Sequence, residues 1–263
     1  MTSTGGTEGH VAPVPAATII LLRDGIDFGR DGLEVLILEK AGGSHFAAGA
    51  LVFPGGKVSA ADRSHAGPAA DDPLAALRVA AVREMYEECG ILLARRRGES
   101  DFLTADQVAA CRAAVPDHGV LEMAADRDLE LATGDLVFFA HWITPPPRPR
   151  RFDTHFFIAP APPRQTRTHA DAYEIVHAEW RRPGDILAEA EAGHVKLVLP
   201  TLMNLTKLTR WATVAEALAA TRAARVVPVQ PQLVETDEGS FRRIPEEADY
   251  GVTMIPTEKF RSA

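Results

Sequence analysis

The sequence has little cysteine and no long apolar run. Its 263 residues include only two cysteines, Cys89 and Cys111, which is too few for a disulfide scaffold and fits a reducing compartment. The longest apolar run, 16–22, is far shorter than the roughly 18 residues that span a bilayer. Residues 1–16 lack the features of a secretory signal or a transit peptide. We therefore expect a cytoplasmic protein with a flexible tail at 1–16 and no membrane partner.

Positive charge is also scarce. The chain carries 28 Lys and Arg against 36 Asp and Glu, a formal net charge of −8. Proteins that bind nucleic acid through its phosphates are usually basic, so no nucleic-acid partner is expected. A polyanionic substrate would need local help from cations. Hydrophobic residues at 46% and charged residues at 24% are typical of a globular protein. We predict a single domain over 17–263, as a monomer or a homodimer.

Aliphatic runs and helix signals give the order of elements. A run at 49–58 should cease to be a strand at Pro54-Gly55-Gly56, and the polar segment 61–72 is predicted to be a loop. The last third predicts a helical extension at about 183–225, followed by extended chain. Strands are predicted at 17–23, 34–40, 136–144, 154–159 and 173–180, and helices at 73–89 and 104–114.

The helix predicted at 73–89 carries three carboxylates. Glu84, Glu87 and Glu88 are spaced i, i+3 and i, i+4, so their side chains project from one side within about one turn. The apolar residues Leu77, Ala81, Met85 and Cys89 form a separate stripe. Like charges this close repel one another, and a hard divalent cation with oxygen ligands would relieve the repulsion. The alternative is a solvated acidic face. Arg83 can hold Glu87, because the two are i, i+4.

The segment from Arg83 to Ile91, REMYEECGI, resembles the closing half of the Nudix box at every fixed position. The opening half, glycine followed six residues later by an acid, corresponds to Gly56 and Asp62, with Asp where the box has Glu. The box normally has seven residues between this acid and the arginine. Here 20 residues separate Asp62 from Arg83, so 13 are inserted. Asp62 is thus either the first acid of the box or a turn residue.

The resemblance to Nudix hydrolases implies an α+β fold, an α/β/α sandwich with a mixed sheet. Here it would be extended by the insertion in the box and by C-terminal helices. It also implies Mg²⁺ or Mn²⁺ and hydrolysis of a nucleoside diphosphate linked to another group. Glu88 would be the main metal ligand, Glu84 a second ligand or proton acceptor, and Glu87 a ligand oriented by Arg83. A backbone carbonyl near Gly55 or Gly56 would complete the metal shell.

A wider stretch resembles the acyl-coenzyme A diphosphatase branch of this superfamily. It includes VFPGGKVSAAD, the interrupted box and the segment WITP to RRFDTHFF. The resemblance implies cleavage of coenzyme A or acyl-coenzyme A to adenosine 3′,5′-bisphosphate and a 4′-phosphopantetheine. Alternatives are a pyrophosphatase for ADP-ribose, dinucleotides or nucleotide sugars, and a module that binds its ligand without hydrolysis.

Other residues are candidates for contact with the substrate. Arg150 and Arg151 could bind phosphates, Phe152 could pack against adenine, and Lys40 is one of few basic residues after the second strand. Each has a plainer alternative, a solvated arginine or a core phenylalanine. Glu174 is either a further acid near the metal or an exposed residue of a strand edge. The nine histidines are scattered and predict no zinc site.

Overall fold

A mixed β-sheet with helices on both faces organises the chain. The computed structural model describes residues 11–27, 30–41, 49–67, 72–165 and 175–260. The strands are β1 (Val14–Asp27), β2 (Arg30–Lys40), β3 (Leu51–Val52), β4 (Gly55–Lys57), β5 (Ala94–Arg96), β6 (Leu129–Leu131), β7 (Val137–Ile143), β8 (Phe152–Pro160), β9 (Ile175–Arg181), β10 (Pro228–Val229), β11 (Gln232–Thr236), β12 (Gly239–Arg243) and β13 (Met254–Pro256). The helices are α1 (Ala60–Ala66), α2 (Ala75–Cys89), α3 (Ala105–Ala114), α4 (Val120–Asp126), α5 (Pro183–Glu191), α6 (Leu199–Leu208) and α7 (Val214–Ala223).

Eight strands form the central sheet. Their order is β10-β7-β8-β1-β2-β3, with β4 pairing with β1 and β9 with β2. The β1–β8 and β10–β7 pairs are parallel and the others are antiparallel, which confirms the predicted mixed sheet. Strands β11 to β13 form a second sheet, and β5 pairs with β6.

The alternation of side chains along β1 builds one apolar core on each face of the sheet. Ala17, Ile19 and Leu21 belong to the core beneath α2, together with the apolar stripe of that helix. Ile20 and Leu22 belong to the opposite core, where α6 and α7 pack. The apolar stripe of α2 is buried as predicted, so this helix packs against the sheet through the stripe, and its carboxylates lie on a different side. The two cores confirm the predicted sandwich.

The C-terminal segment is joined to the second core by buried polar contacts. The hydroxyl of Tyr250 accepts a hydrogen bond from Trp142 Nε1 at 2.9 Å and donates one to Asn204 Oδ1 at 2.8 Å. Burial raises the pKa of Tyr250, which keeps the hydroxyl protonated as a donor. Because Trp142 lies on β7 and Asn204 on α6, this contact ties three distant segments together.

The predicted loop at 61–72 is wrong in its first half, which forms α1. Ser59 caps this helix: its Oγ accepts from the Asp62 backbone N–H at 3.1 Å, and Asp62 Oδ2 accepts from the Ser59 N–H at 2.7 Å. Helix α2 begins at Ala75 rather than Pro73. Asp72, which as the residue before Pro73 would cap a helix that begins there, lies two residues before the N-cap Leu74, and its carboxylate accepts from the Leu74 N–H.

The run at 49–58 does stop being one strand at Pro54, as predicted, but pairing resumes at Gly55, which was not predicted. Gly55 to Lys57 re-pair with a different strand, as Thr18 faces Gly55 and Ala16 faces Lys57. The chain beyond residue 226, predicted as extended, supplies β10 to β13. Within the described ranges, no helix has the length and apolar character that crossing a membrane requires.

Candidate active site

Arg83 stands at the centre of the acidic cluster, and its guanidinium uses all five of its N–H donors. Nε and Nη2 donate to the two carboxylate oxygens of Asp62 at 2.8 and 3.0 Å. Nη1 donates to Glu84 Oε1 and to Glu87 Oε2, each at 2.7 Å. The remaining Nη2 hydrogen goes to the Lys57 carbonyl at 3.0 Å. Arg83 therefore positions two of the predicted metal ligands and the end of β4 at once.

Asp62 anchors this arginine from the inserted segment. Its side chain is completely buried, and Oδ2 accepts from the backbone N–H and the hydroxyl of Ser59 as well as from Arg83. Burial alone would raise the pKa of Asp62, but the hydrogen bonds from Arg83 and Ser59 outweigh it and hold the pKa below its usual value. This geometry favours Asp62 as the first acid of the box over a turn residue.

The three glutamates of α2 differ in their surroundings. Glu87 is largely exposed, whereas Glu88 is buried and accepts from the Gly55 N–H at 2.9 Å and from Lys40 Nζ at 3.2 Å. Burial raises the pKa of Glu88 to about 7, although Lys40 and the Gly55 N–H oppose it. Burial likewise raises the pKa of Glu84, with Arg83 in opposition. The two inner carboxylates thus lie where their negative charge is poorly solvated.

Two glycines let β4 pack closely against its neighbours, Gly56 against the Glu84 carboxylate and Gly55 against β1. A Cβ at Gly56 would lie 2.3 Å from Glu84 Oε1, and a Cβ at Gly55 would lie 2.5 Å from the Ala17 carbonyl. Both distances are far inside van der Waals contact, so only glycine fits without movement. The absence of a side chain at these two positions therefore allows β4 to lie this close to Glu84 and to β1.

The donor set fits a divalent cation. Asp62, Glu84, Glu87 and Glu88 supply four carboxylates, against the two cations Arg83 and Lys40. The cluster therefore carries a formal excess of two negative charges, and its oxygen atoms are the ligands that Mg²⁺ and Mn²⁺ prefer. Gly56 lies beside Glu84 and has no side chain that could obstruct a cation there.

A cavity of about 310 Å³ borders this cluster at Gly55, Gly56 and Lys40. Its floor is the face of the central sheet opposite α2, where Trp142, Thr154, Ala16 and Lys57 form one row across β7, β8, β1 and β4. The start of α6, residues 198–201, lies on the other side together with Pro231, Arg242 and Phe260. Four cations line the cavity (Lys40, Lys57, Arg148 and Arg242), and no carboxylate of a described residue does.

The structure divides the predicted substrate contacts. Lys40 and Phe152 line the cavity. Arg150 is exposed and is not part of the described lining. Arg151 is buried and donates to the carbonyls of Thr144 and Val11, each at 2.8 Å. Arg151 thus fastens the chain before β1, a position that does not favour the predicted phosphate contact. Glu174 lies outside the described residues.

Sequence reasoning missed a group of possible metal ligands on the α2 face of the sheet. His141, Asp153 and His155 each offer an atom, all within 4.8 Å of one another. His141 and His155 are cross-strand neighbours on β7 and β8 with stacked rings 4.1 Å apart. Burial and the neighbouring His141 lower the pKa of His155. Only the pairing of two strands brings these residues together, so spacing along the sequence gave no signal.

The sandwich carries a helix, α2, whose glutamates are held by Arg83, and this helix lies beside the Gly55–Gly56 strand β4. This is the arrangement expected of a Nudix hydrolase. Residues 69–208, just over half of the chain, match the family model described as the NUDT19 Nudix domain. The chain therefore belongs to the NUDT19 Nudix domain family, and it is an enzyme of the Nudix hydrolase class.

Known proteins agree with this placement. The crystal structure of a NUDIX hydrolase from Alicyclobacillus acidocaldarius superposes with a TM-score of 0.68 at 29% identity, over 80% of this chain and 97% of that one. The acyl-coenzyme A diphosphatase NUDT19 of Homo sapiens is 26% identical, over 87% of this chain and 77% of the human protein. Putative nudix hydrolase 7 of Caenorhabditis elegans is 27% identical over 67% of this chain. The match spans only 56% of that protein's length.

Proposed function

We propose that this protein is a metal-dependent diphosphatase of coenzyme A or acyl-coenzyme A, with adenosine 3′,5′-bisphosphate and an (acyl-)4′-phosphopantetheine as products. The observation that carries the proposal is the cavity beside the carboxylate cluster. Its walls are mostly apolar, yet every charged side chain among its described lining residues is a cation. Such a lining suits a ligand that has an apolar body and several phosphates.

The residues of the cluster have separable roles in this proposal. Glu88, Glu84 and Glu87 would hold Mg²⁺ or Mn²⁺, with a backbone carbonyl at Gly56. The metal, when bound, polarises phosphoryl oxygens and lowers the pKa of the attacking water. Lys40 restrains Glu88, and Arg83 orients Glu84 and Glu87. Glu84 would serve as a second metal ligand or as a proton acceptor, and its contact with Arg83 fixes the position of its carboxylate for either role.

Support for the substrate comes from the relatives and from the cavity. Proteins named acyl-coenzyme A diphosphatase are 26% identical to this chain, which favours that substrate class without fixing it. Phe152 lines the cavity and offers a flat apolar surface to adenine. ADP-ribose, dinucleotides and nucleotide sugars share the same scissile diphosphate and form the alternative. The intact carboxylate set weighs against a module that only binds. The cytoplasmic location and the oligomeric state stay predictions.

The test is product analysis with the purified full chain. We expect coenzyme A to be cleaved to the two products above only when Mg²⁺ or Mn²⁺ is added, and Glu88→Gln to abolish turnover while the protein remains folded. Glu99→Gln, the same chemical change at an exposed residue away from the site, serves as the matched control.

Different results would overturn different parts of the proposal. A tenfold or greater preference for ADP-ribose or NADH over coenzyme A would refute the substrate assignment. Retained turnover in Glu88→Gln would refute the role of the cluster. Tight binding of coenzyme A without turnover of any substrate would favour the binding module.

A further inference from the structure

Two arginines from distant parts of the chain line the same cavity. Arg148 lies in the segment between β7 and β8, and Arg242 lies on β12, beyond the range 69–208 that matches the family model. Both side chains are half-buried. Burial lowers the pKa of Arg242, and the positive charge of Arg148 lowers it further. The two guanidinium groups are therefore close enough to repel each other.

This repulsion is not relieved by an ion pair. Among described residues, no carboxylate lies within 4.0 Å of the guanidinium of Arg148 or Arg242, and Glu235 on β11 opposes the repulsion only from further away. By contrast, arginines elsewhere, such as Arg23, Arg95 and Arg210, each contact a carboxylate. Two half-buried guanidinium groups that line one cavity are complementary to a dianion, because each presents a planar fork of donors.

We propose that Arg148 and Arg242 bind a phosphate monoester on the ribose of the substrate, separate from the diphosphate that is cleaved. This inference rests on the proposed function for the position of the diphosphate, at the Gly55–Gly56 end of the cavity. The floor of the cavity crosses three strand spacings, roughly 14 Å from β7 to β4. Arg148 comes from the segment that follows β7, and Lys57 lies on β4, so cations are contributed from both ends of this row, which suits a ligand with two separated anionic groups.

This site would decide among the candidate substrates. Coenzyme A carries a 3′-phosphate in addition to its diphosphate, whereas ADP-ribose and NADH carry the diphosphate alone. NADPH carries a ribose 2′-phosphate and shares the chemistry of the site. The proposal therefore assigns Arg148 and Arg242 to substrate specificity rather than to bond cleavage.

The experiment compares coenzyme A with 3′-dephospho-coenzyme A as substrates for the full chain. We expect the wild type to prefer coenzyme A, and Arg148→Gln and Arg242→Gln each to reduce the ratio of the two kcat/KM values by about tenfold, mainly through KM for coenzyme A. Arg243→Gln is the matched control, since Arg243 is exposed, adjacent in sequence and not part of the described lining. Melting temperatures establish that each variant is folded.

A binding measurement separates this proposal from the proposed function. By calorimetry, adenosine 3′,5′-bisphosphate should bind more tightly than AMP, and the double variant R148Q/R242Q should lose the difference. Equal binding of the two nucleotides in the wild type, or a difference that survives in the double variant, would overturn the arginine site even if coenzyme A is hydrolysed. If coenzyme A is not hydrolysed, the proposed function fails but the calorimetry still decides. If the protein prefers NADPH over NADH but does not prefer coenzyme A over 3′-dephospho-coenzyme A, the result would support the arginine site and assign it to a ribose 2′-phosphate.

Discussion

Replacing Gly56 with alanine tests the close approach of β4 to the carboxylate cluster. The added Cβ would lie 2.3 Å from Glu84 Oε1 and 2.4 Å from Cδ, about 1 Å short of ordinary van der Waals contact. Glu84 must therefore retreat by about 1 Å. Because the obstructing atoms are the end of a flexible side chain, stability should change by less than about 1 kcal/mol. Misplacement of a reacting group by 1 Å costs on the order of 100-fold in rate, so kcat should fall by about that factor.

The neighbouring Gly55→Ala is the control, because its clash is of another kind. There the Cβ would meet the Ala17 carbonyl at 2.5 Å and Thr18 Cα at 2.8 Å, both backbone atoms of β1. Backbone cannot yield as a side chain can, so this variant should lose about 1–3 kcal/mol of stability. Urea unfolding and steady-state rates with saturating Mn²⁺ measure both effects. A folded Gly56→Ala protein with kcat within twofold of the wild type would refute the reasoning.

Three further predictions concern stability. In metal-free protein, burial raises the pKa of Glu88 from 4.5 to about 7, so the folded state holds this proton more tightly than the unfolded state does. The resulting stabilisation of the folded state is fully present below about pH 4.5 and is lost as the pH rises through 7. The loss is up to about 3 kcal/mol. Unfolding at pH 5.5 and 8 should show this slope, and Glu88→Gln should flatten it; parallel slopes would contradict the assignment. Asp62→Asn should cost about 2–4 kcal/mol in urea unfolding, because a neutral amide replaces the buried carboxylate that pairs with Arg83, and Arg83 keeps ion pairs only with Glu84 and Glu87. Asp62→Glu should also lose stability, since the hydrogen bonds from the backbone and hydroxyl of Ser59 require the shorter side chain. Tyr250→Phe should cost about 2 kcal/mol by orphaning Trp142 Nε1 and Asn204 Oδ1, and a loss below 0.5 kcal/mol would show that neither group depends on it.

The core of the site was predictable because it is local in sequence. The spacing of Glu84, Glu87 and Glu88 and the apolar stripe that ends at Cys89 depend only on helical periodicity, and Gly90 adopts the left-handed conformation expected of a helix stop. Helix α1 was missed although its signal was present. Its capping box uses Asp62 at the third helical position, where Glu or Gln is the usual partner, and the helix is too short and polar to show an apolar stripe.

The rest of the site depends on contacts between distant segments. Arg148 and Arg242 line the same cavity although almost 100 residues separate them in sequence, and the pairing of His141 with His155 requires the register of β7 with β8. For Arg151 the sequence suggested a role in substrate binding that its position in the structure does not favour. Its place after three prolines and beside Arg150 suggested an exposed loop, but two backbone carbonyls within reach make it a buried structural residue. Neither outcome follows from residue type or spacing.

The net charge of −8 does not oppose binding of a polyanion, because the charge is distributed unevenly. Over the distance of a few ångströms at which a phosphate is bound, nearby charges dominate, while exposed charges beyond about 10 Å are largely screened by salt. The described lining of the cavity has four cations and no carboxylate. The acidic excess beside it, at Asp62, Glu84, Glu87 and Glu88, is the kind that a divalent cation compensates. Phosphate recognition should therefore depend on metal at the diphosphate and on Arg148 and Arg242 at the monoester, so that removing metal weakens one contact and leaves the other.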